Sequence, residues 1–600
     1  MNKRYTYITV IVLLLSSCGF LDDSPTTSLT DAAAYSTEQT LEANVTGLYS
    51  DLNVFVTGSF FNYLNAASRF TEFTGKRLTE DFTQTHDLTL YSTTTAGRSL
   101  YTYFYEGIGH CNNLLHGLES SPVDGDFKLR IEAETRFFRA FNYFCLTRLF
   151  GDLPIMDRPE SLEDTFIGRS QYSEVYEYIV SDLKFASENM RTALQQESLN
   201  PFMGRANKST AMAMLAKVYS YIACLMEYPE AHFYDTSKPG RLPDFSGLGI
   251  YNARDAWTLC LQCAEKVLTE DDAFRLEDNF THLFRWDNAD HPEDYLSRER
   301  MLVIQTTPNS QTSSIPTWTL WVNPLGTESA NIQNSNAGRI RSSRWVFQKW
   351  AAKYGGTLDT VDGAEIYVDC PDPRFNATYF HTEVWGGNTT TGAMQAYSIY
   401  PASGKIKASP SSDPYIRKYF SAGYKTNNGY ADFYVMRYAE VYLIAAEAAA
   451  SLSLAKDDVN WKKAVDYVNV ILERARKSVP EGTSESAQPA AWSYDCCNTR
   501  EELVNEIMWE KFFELAFEGH EWFETHKRGA KWLVDNVCVP LNKFLAKEEN
   551  SELLSEHYLG KLMPVDVQRV RGALLVAFPD YEIRYNTALS PGDQNDYYIK

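Results

Sequence analysis

Clustered basic residues are missing from this chain. Its 600 residues hold 56 Lys and Arg against 78 Asp and Glu, a formal charge of -22 at pH 7. Nucleic-acid binding draws on grouped cations that displace counterions from phosphate, so the lack of a basic stripe excludes that class of partner. The apolar run near the N-terminus, Ile8 to Leu15, falls short of the about 20 residues that a membrane-spanning helix requires. The nucleophile elbow, the phosphate loop and the dinucleotide fingerprint are absent, which removes the signatures of three large enzyme classes. No cofactor is implied. Aromatic residues, by contrast, are plentiful: 38 Tyr, 33 Phe and 12 Trp make 14% of the chain, more than packing alone usually recruits.

Lys3 and Arg4 precede the short apolar run, and the sequence Leu-Ser-Ser-Cys follows it at positions 15–18. Charge, apolar stretch and small residues before a cysteine resemble a bacterial lipobox. In that reading residues 1–17 are a signal peptide and Cys18 is the lipidated start of a chain that is tethered without spanning. Two or more acyl chains, at about 0.8 kcal/mol per buried methylene, hold a membrane stably where one is marginal. Ten cysteines less Cys18 leave an odd number, so at least one stays free or pairs between chains. Cys260 and Cys263 form C-x-x-C, but with Ala256 and Val267 they repeat at helical spacing, the pattern of a packed core.

Helical periodicity recurs along the chain. Leu41, Val45 and Leu48 share one face; so do Ile179, Leu183, Ala186 and Met190, and again Ala464, Val468, Ile471 and Ala475. An alanine-dense run from Val435 to Leu452 precedes the last of these, and two such neighbours on a short link predict tetratricopeptide-like helix pairs. The expected fold is mainly α: a helical scaffold over about 30–285 and 430–600, with a loop-rich portion containing short strands over about 285–430, where Gly, Pro, Asn, Ser and Thr become frequent. A second loop-rich patch lies over residues 55–99. Binding residues tend to sit on loops held by a scaffold. The run Asp359 to Tyr367 hints at a calcium loop, but Leu358 and Thr360 stand where acidic ligands belong. Scattered carboxylates leave a glycosidase pair open, since only their separation in space decides it.

The stretch Phe517 to Gly529, FEGHEWFETHKRG, stops short of a zinc-protease signature, with Glu524 where the second histidine belongs. Upstream, Thr499 and Glu502 have capping-box spacing, and Val504, Ile507, Met508, Phe512 and Leu515 line one face. This predicts one long buried helix whose polar end is fixed by Lys527, Arg528 and Gly529. The alternative is a metal held by His520 and Glu524.

Two segments taken together, RYAEVYLIAAEA from Arg437 to Ala448 and WEKFFELAFEGHEWFETHKRG from Trp509 to Gly529, resemble the paired signature of the SusD/RagB outer-membrane lipoproteins of Bacteroidetes. Further segments agree in order: CGFLDDSPTTSLT from Cys18, Phe104 to Leu115, Ala133 to Pro154, Gly204 to Tyr221, DPRF from Asp372 and YIRKYF from Tyr415. The ending THKRG departs from the family's Lys-Arg-Trp-Gly, and the C-terminus only loosely follows its Asn-Pro-Gly-Tyr close.

The resemblance implies a lipid anchor in the outer membrane, facing the cell exterior, and a partner: a SusC-like TonB-dependent transporter that imports glycans, or in some cases peptides. It implies binding without cleavage. A sugar ring has an apolar C–H face and a polar edge, so exposed aromatic rings suit its capture. Trp318, Trp321 and Trp385, with Tyr63 and Tyr91, are the candidates by residue type and loop context; Asn323, Arg341 and Asp81 are their polar counterparts. A peptide-binding module and a surface glycoside hydrolase are the competing readings.

Overall fold

The computed structural model describes residues 31–55, 68–73, 95–159, 166–195, 204–229, 243–270, 273–284, 297–305, 340–361, 363–380, 383–387, 394–398, 414–419, 432–550, 554 and 561–595. The fold is mostly helical, with a few short strands. Helix α1 (Glu38–Asp51) starts at Thr37, which forms a capping box with Thr40, and it buries Leu41, Val45 and Leu48. Strand β1 (Thr71–Phe73) follows. Helices α2 (Thr95–Ser120), α3 (Gly125–Phe150), α4 (Tyr172–Asn189), α5 (Lys208–Glu227) and α6 (Ala253–Glu270) then form a stack in which each packs on its predecessor. Asp124 caps α3 and Asn207 caps α5, each through a side-chain oxygen that accepts from the first turn. Helix α5 is apolar on nearly every side because it lies inside this stack: 83% of its most apolar window is buried.

The chain then leaves the stack. It forms β2 (Arg300–Ile304), β3 (Ile340–Ser342), α7 (Arg344–Lys353), β4 (Thr357–Val361), β5 (Ala364–Asp369), α8 (Pro373–Thr378), β6 (Tyr379–Phe380), β7 (Glu383–Gly387), β8 (Met394–Ser398), β9 (Tyr415–Ile416) and β10 (Phe433–Arg437). Among the described residues all strand pairings are antiparallel and two-stranded: β1 with β3, β2 with β10, β4 with β5, β6 with β9 and β7 with β8. The weighed calcium run is the β4–β5 hairpin. Val361 pairs with Ala364, and Gly363 takes φ +85° at its turn, a conformation that glycine adopts without strain.

Helix α9 (Tyr438–Leu452) brings the chain back onto α6, and α10 (Val459–Lys477) and α11 (Arg500–Glu514) pack against α9. Ala445, Ala446, Ala448, Ala449 and Ala450 are fully buried, and their short side chains let neighbouring helices approach closely. The Thr499–Glu502 capping box opens α11 as its spacing predicts. The expected single long helix is, however, broken. Phe517 and Gly519 take φ +64° and +82°, and the chain restarts as α12 (Glu521–Lys527), α13 (Gly529–Leu533) and, after a π turn, α14 (Val539–Leu545). The reason is tertiary. The Glu514 carbonyl accepts from Lys418 Nζ at 3.1 Å and Arg437 Nη2 at 2.6 Å, while Glu521 accepts from the Phe517 N–H, so the groups freed by the break are satisfied from elsewhere.

All nine described cysteines are free thiols. Cys260 is buried among the α6 packing positions, and Cys263 is half-buried beside it.

Candidate functional site

Three linked charge clusters surround the break after α11. In the first, Arg437 Nη1 donates to Glu299 at 2.6 Å and Glu514 at 2.7 Å, and its Nε donates to Glu518 at 2.7 Å. Arg374 reaches Glu510 at 2.7 Å and Asp372 at 2.8 Å, and Arg474 pairs with Glu299 and Glu514. In the second, Glu447 and Glu524 bind Lys511, Lys527 and Arg528; in the third, Lys217 lies 2.7 Å from Glu440 and 3.3 Å from His520 Nδ1. Burial pushes His520 down to about 4, so its neutral ring accepts from the Lys217 ammonium. Burial opposes ionisation of Glu440, but Lys217, Lys511 and, once acid has protonated it, His520 outweigh it and hold the carboxyl down at about 2. Burial also pushes His526 down, to about 3, and its Nδ1–H donates to the Trp522 carbonyl at 2.6 Å.

His520 and Glu524 take different partners, both cationic, and among the described residues no group of three or more His, Cys, Asp or Glu is placed to hold a metal ion. The carboxylates of Glu510, Glu514 and Glu518 are sealed from solvent by cations, which suits architecture and leaves no room for a substrate.

A different place brings candidate segments together. Strand β1 lies within the early loop-rich patch and β3 within the later one, and they pair as Thr71 with Ser342, Glu72 with Arg341 and Phe73 with Ile340. The Ser343 N–H donates to the Phe70 carbonyl at 2.9 Å, and the Ser342 N–H to the Pro414 carbonyl at 2.9 Å, which adds the β9 segment. Strand β9 pairs in turn with β6, two residues before β7. Four stretches distant in sequence therefore meet in one seam. Phe70 seats the seam on the scaffold: its ring stacks on Trp509 at 5.8 Å and meets Phe512 at 4.7 Å, both on α11.

Arg341 is 3% exposed at this junction. Its guanidinium lies 4.1 Å from the Tyr415 ring and donates to the Tyr415 hydroxyl at 2.6 Å, tying β3 to β9 within packed structure. Trp385 lies on β7 opposite Ala396. Tyr63, Asp81, Tyr91, Trp318, Trp321 and Asn323 lie outside the described residues, as does Cys18. The seam thus joins the described borders of the segments that carry these candidates. Sequence reasoning missed Phe70 and Tyr415 as the residues that hold it; their partners lie far away in the chain, Arg341 being 74 positions before Tyr415, so no local signal marks them.

Sequence patterns of known families match this chain in two blocks. Residues 302–528 match the SusD family, and residues 19–220 match a family described as starch-binding associating with outer membrane. SusD-like protein P2 of Formosa agariphila is 26% identical over 551 residues, spanning 88% of this chain and 90% of that one. Two solved structures share the fold. A laminarin-binding SusD-like protein superposes with a TM-score of 0.59 at 19% identity, over 94% of this chain and 100% of its own. A protein determined with xylogluco-oligosaccharide gives 0.59 at 17% identity, over 91% and 97%.

Proposed function

We propose, from the premise that this chain belongs to the SusD family, that it is a surface glycan-binding protein: it captures an oligosaccharide and delivers it to a SusC-like TonB-dependent transporter without cleaving it. The observation that carries the reading is the β1–β3–β9 seam. It gathers the borders of the aromatic-bearing segments onto α11, so that loops far apart in sequence can work on one ligand. The names of two fold neighbours, one laminarin-binding and one determined with xylogluco-oligosaccharide, support a saccharide as the ligand.

In this reading the leader of residues 1–17 is removed, Cys18 carries the lipid that holds the chain on the outside of the outer membrane, and the helices of about 30–285 and 430–600 serve as the frame for the binding portion over about 285–430. Trp318, Trp321, Trp385, Tyr63 and Tyr91 offer ring faces, and Asn323 and Asp81 take hydroxyls. Arg341, held inside the seam, positions the segment behind them. Calorimetric titration of neutral glucan oligosaccharides into the wild type and into Trp318→Ala and Trp321→Ala tests this. A loss of affinity of about tenfold, or about 1.4 kcal/mol, is expected for each variant. Unchanged affinity in both removes these residues from the site, and release of shorter sugars during incubation defeats the non-enzymatic reading.

A further inference from the structure

A cleft lies between α7, β5 and the α14 region, on the far side of Trp345, whose ring meets Phe70 of the seam at 6.3 Å. Its volume is about 360 Å³, within the range of about 300–1,000 Å³ usual for small-ligand sites. Trp345 forms its buried floor, where its ring meets Trp509 edge-on at 5.6 Å. The half-buried rings of Tyr367 and Phe544 line the walls. One wall is pinned before any ligand arrives, because the Gln348 side chain both donates to the Tyr367 carbonyl and accepts from the Tyr367 N–H, each at 2.8 Å. The opposite wall is tied by Asn550, whose amide donates to the Phe544 carbonyl at 2.8 Å.

The cleft is cationic in a chain whose net charge is -22. Lys349, Lys543 and Lys547 line it, against Glu365 and Glu549. Glu549 lies 3.8 Å from Lys547, which leaves Lys349, Lys543 and Glu365 as the other charged groups of the lining. Among the described residues no carboxylate comes within 4.0 Å of the Lys349 or Lys543 ammonium. Lys349 instead lies 4.1 Å from the centre of the Trp509 ring, half-buried, and burial lowers its pKa while Glu506 partly restores it. A half-buried ammonium whose nearest partner is an aromatic face gains strongly from an anion brought alongside it.

We propose that this cleft binds an acidic saccharide, one bearing a carboxylate or a sulfate ester. The acid group sits between Lys349 and Lys543, the C–H face of the sugar lies on Tyr367 and Phe544, and Glu365 accepts from a hydroxyl. This deepens the glycan-binding reading and rests on it. The cleft gives the protein a second subsite that selects for charge, independent of the aromatic loops.

Calorimetry on the full chain tests it with three probes: a trigalacturonate, a sulfated disaccharide and a neutral trisaccharide, each titrated into wild type, Lys349→Gln and Lys543→Gln. Thermal melts confirm that the variants are folded, and Lys543, being exposed, is replaced with little effect on packing. At least one charged probe is expected to bind, about tenfold more weakly to each variant and more weakly in high salt; the neutral probe is expected to be indifferent to both substitutions. Which charged probe binds distinguishes carboxylate from sulfate. Charged-sugar binding that ignores both lysines, or its full displacement by inorganic sulfate at equal affinity, overturns the proposal while leaving glycan binding intact. Failure of all three saccharides to bind overturns both.

Discussion

The helical junction around α9, α11 and α12 and the strand seam around β3 hold their residues in opposite ways. At the junction, arginines, lysines and carboxylates lie almost completely buried and pair with one another in linked ion pairs. At the seam, β1 and β3 pair through three residues each, with a single arginine bridging to Tyr415. A sealed charge network tolerates almost no displacement, because moving one partner strands another in low dielectric. A short two-stranded pairing is marginal alone and depends on what it rests on. The molecule thus sets a charge-locked frame beside a seam of short pairings, joined by Phe70 on Trp509 and Phe512 and by Lys418, two residues past β9, on Glu514 and Glu518.

The sharpest way to break this contrast is Glu514→Ala. Glu514 contacts Arg374, Arg437 and Arg474, so its removal leaves buried guanidinium groups short of a partner. A loss of about 3–5 kcal/mol is expected in denaturant unfolding. A loss below about 1 kcal/mol would show the junction to be no stiffer than the seam.

Acidification comes next. Glu440 and Glu447 are held at about 2 against an ordinary 4.5, and His520 at about 4 against 6.5. All three bind protons more readily unfolded than folded. Each therefore contributes stability that is complete above its unfolded value and is lost as pH falls through its folded one. His526, held at about 3, adds a loss of the same sign, so the melting temperature is expected to fall gently from pH 6.5 to 4.5, where Glu521 opposes it, and steeply from 4.5 towards 2. Glu521 has the opposite sign, since burial pushes it up to about 7 and its contribution is lost as pH rises through that value. Glu521→Gln keeps an oxygen to accept the Phe517 N–H and cannot ionise. It is expected to raise stability by about 1–3 kcal/mol at pH 8 and to change little at pH 4, measured by paired thermal melts.

The smallest global effect is expected from Tyr415→Phe, which removes the acceptor of the Arg341 hydrogen bond. About 1–2 kcal/mol in global unfolding is the expected loss, with a larger relative change in ligand affinity, read by calorimetry beside the melt. Equal losses in both measurements would mean that the seam and the frame are one unit.

Much of the frame was legible in the sequence. Leu41, Val45 and Leu48, or Ala464, Val468, Ile471 and Ala475, repeat at helical spacing, and the structure buries every one of them. The Thr499–Glu502 cap was legible for the same reason: it is a local signal with a local partner. The break after α11 was not. Leu515 and Phe517 continue an apolar pattern, and what ends the helix is a pair of cations, Lys418 and Arg437, far away in the chain. The seam was equally hidden, since two- and three-residue strands have no periodicity to read. Residue type alone could not separate Arg341 as a surface contact from Arg341 as an internal tie, because only the neighbour Tyr415 decides it.

Helix α6 touches α9 although 167 residues run between them. The stack is consequently continuous in space while the covalent chain takes a long excursion, and the closure entropy of such an excursion grows only logarithmically with its length. Lengthening, shortening or rewriting the excursion need not disturb the register of the helices on either side. One rack can accept many different cartridges, and a lineage that meets a new polymer can change its grip without rebuilding its handle.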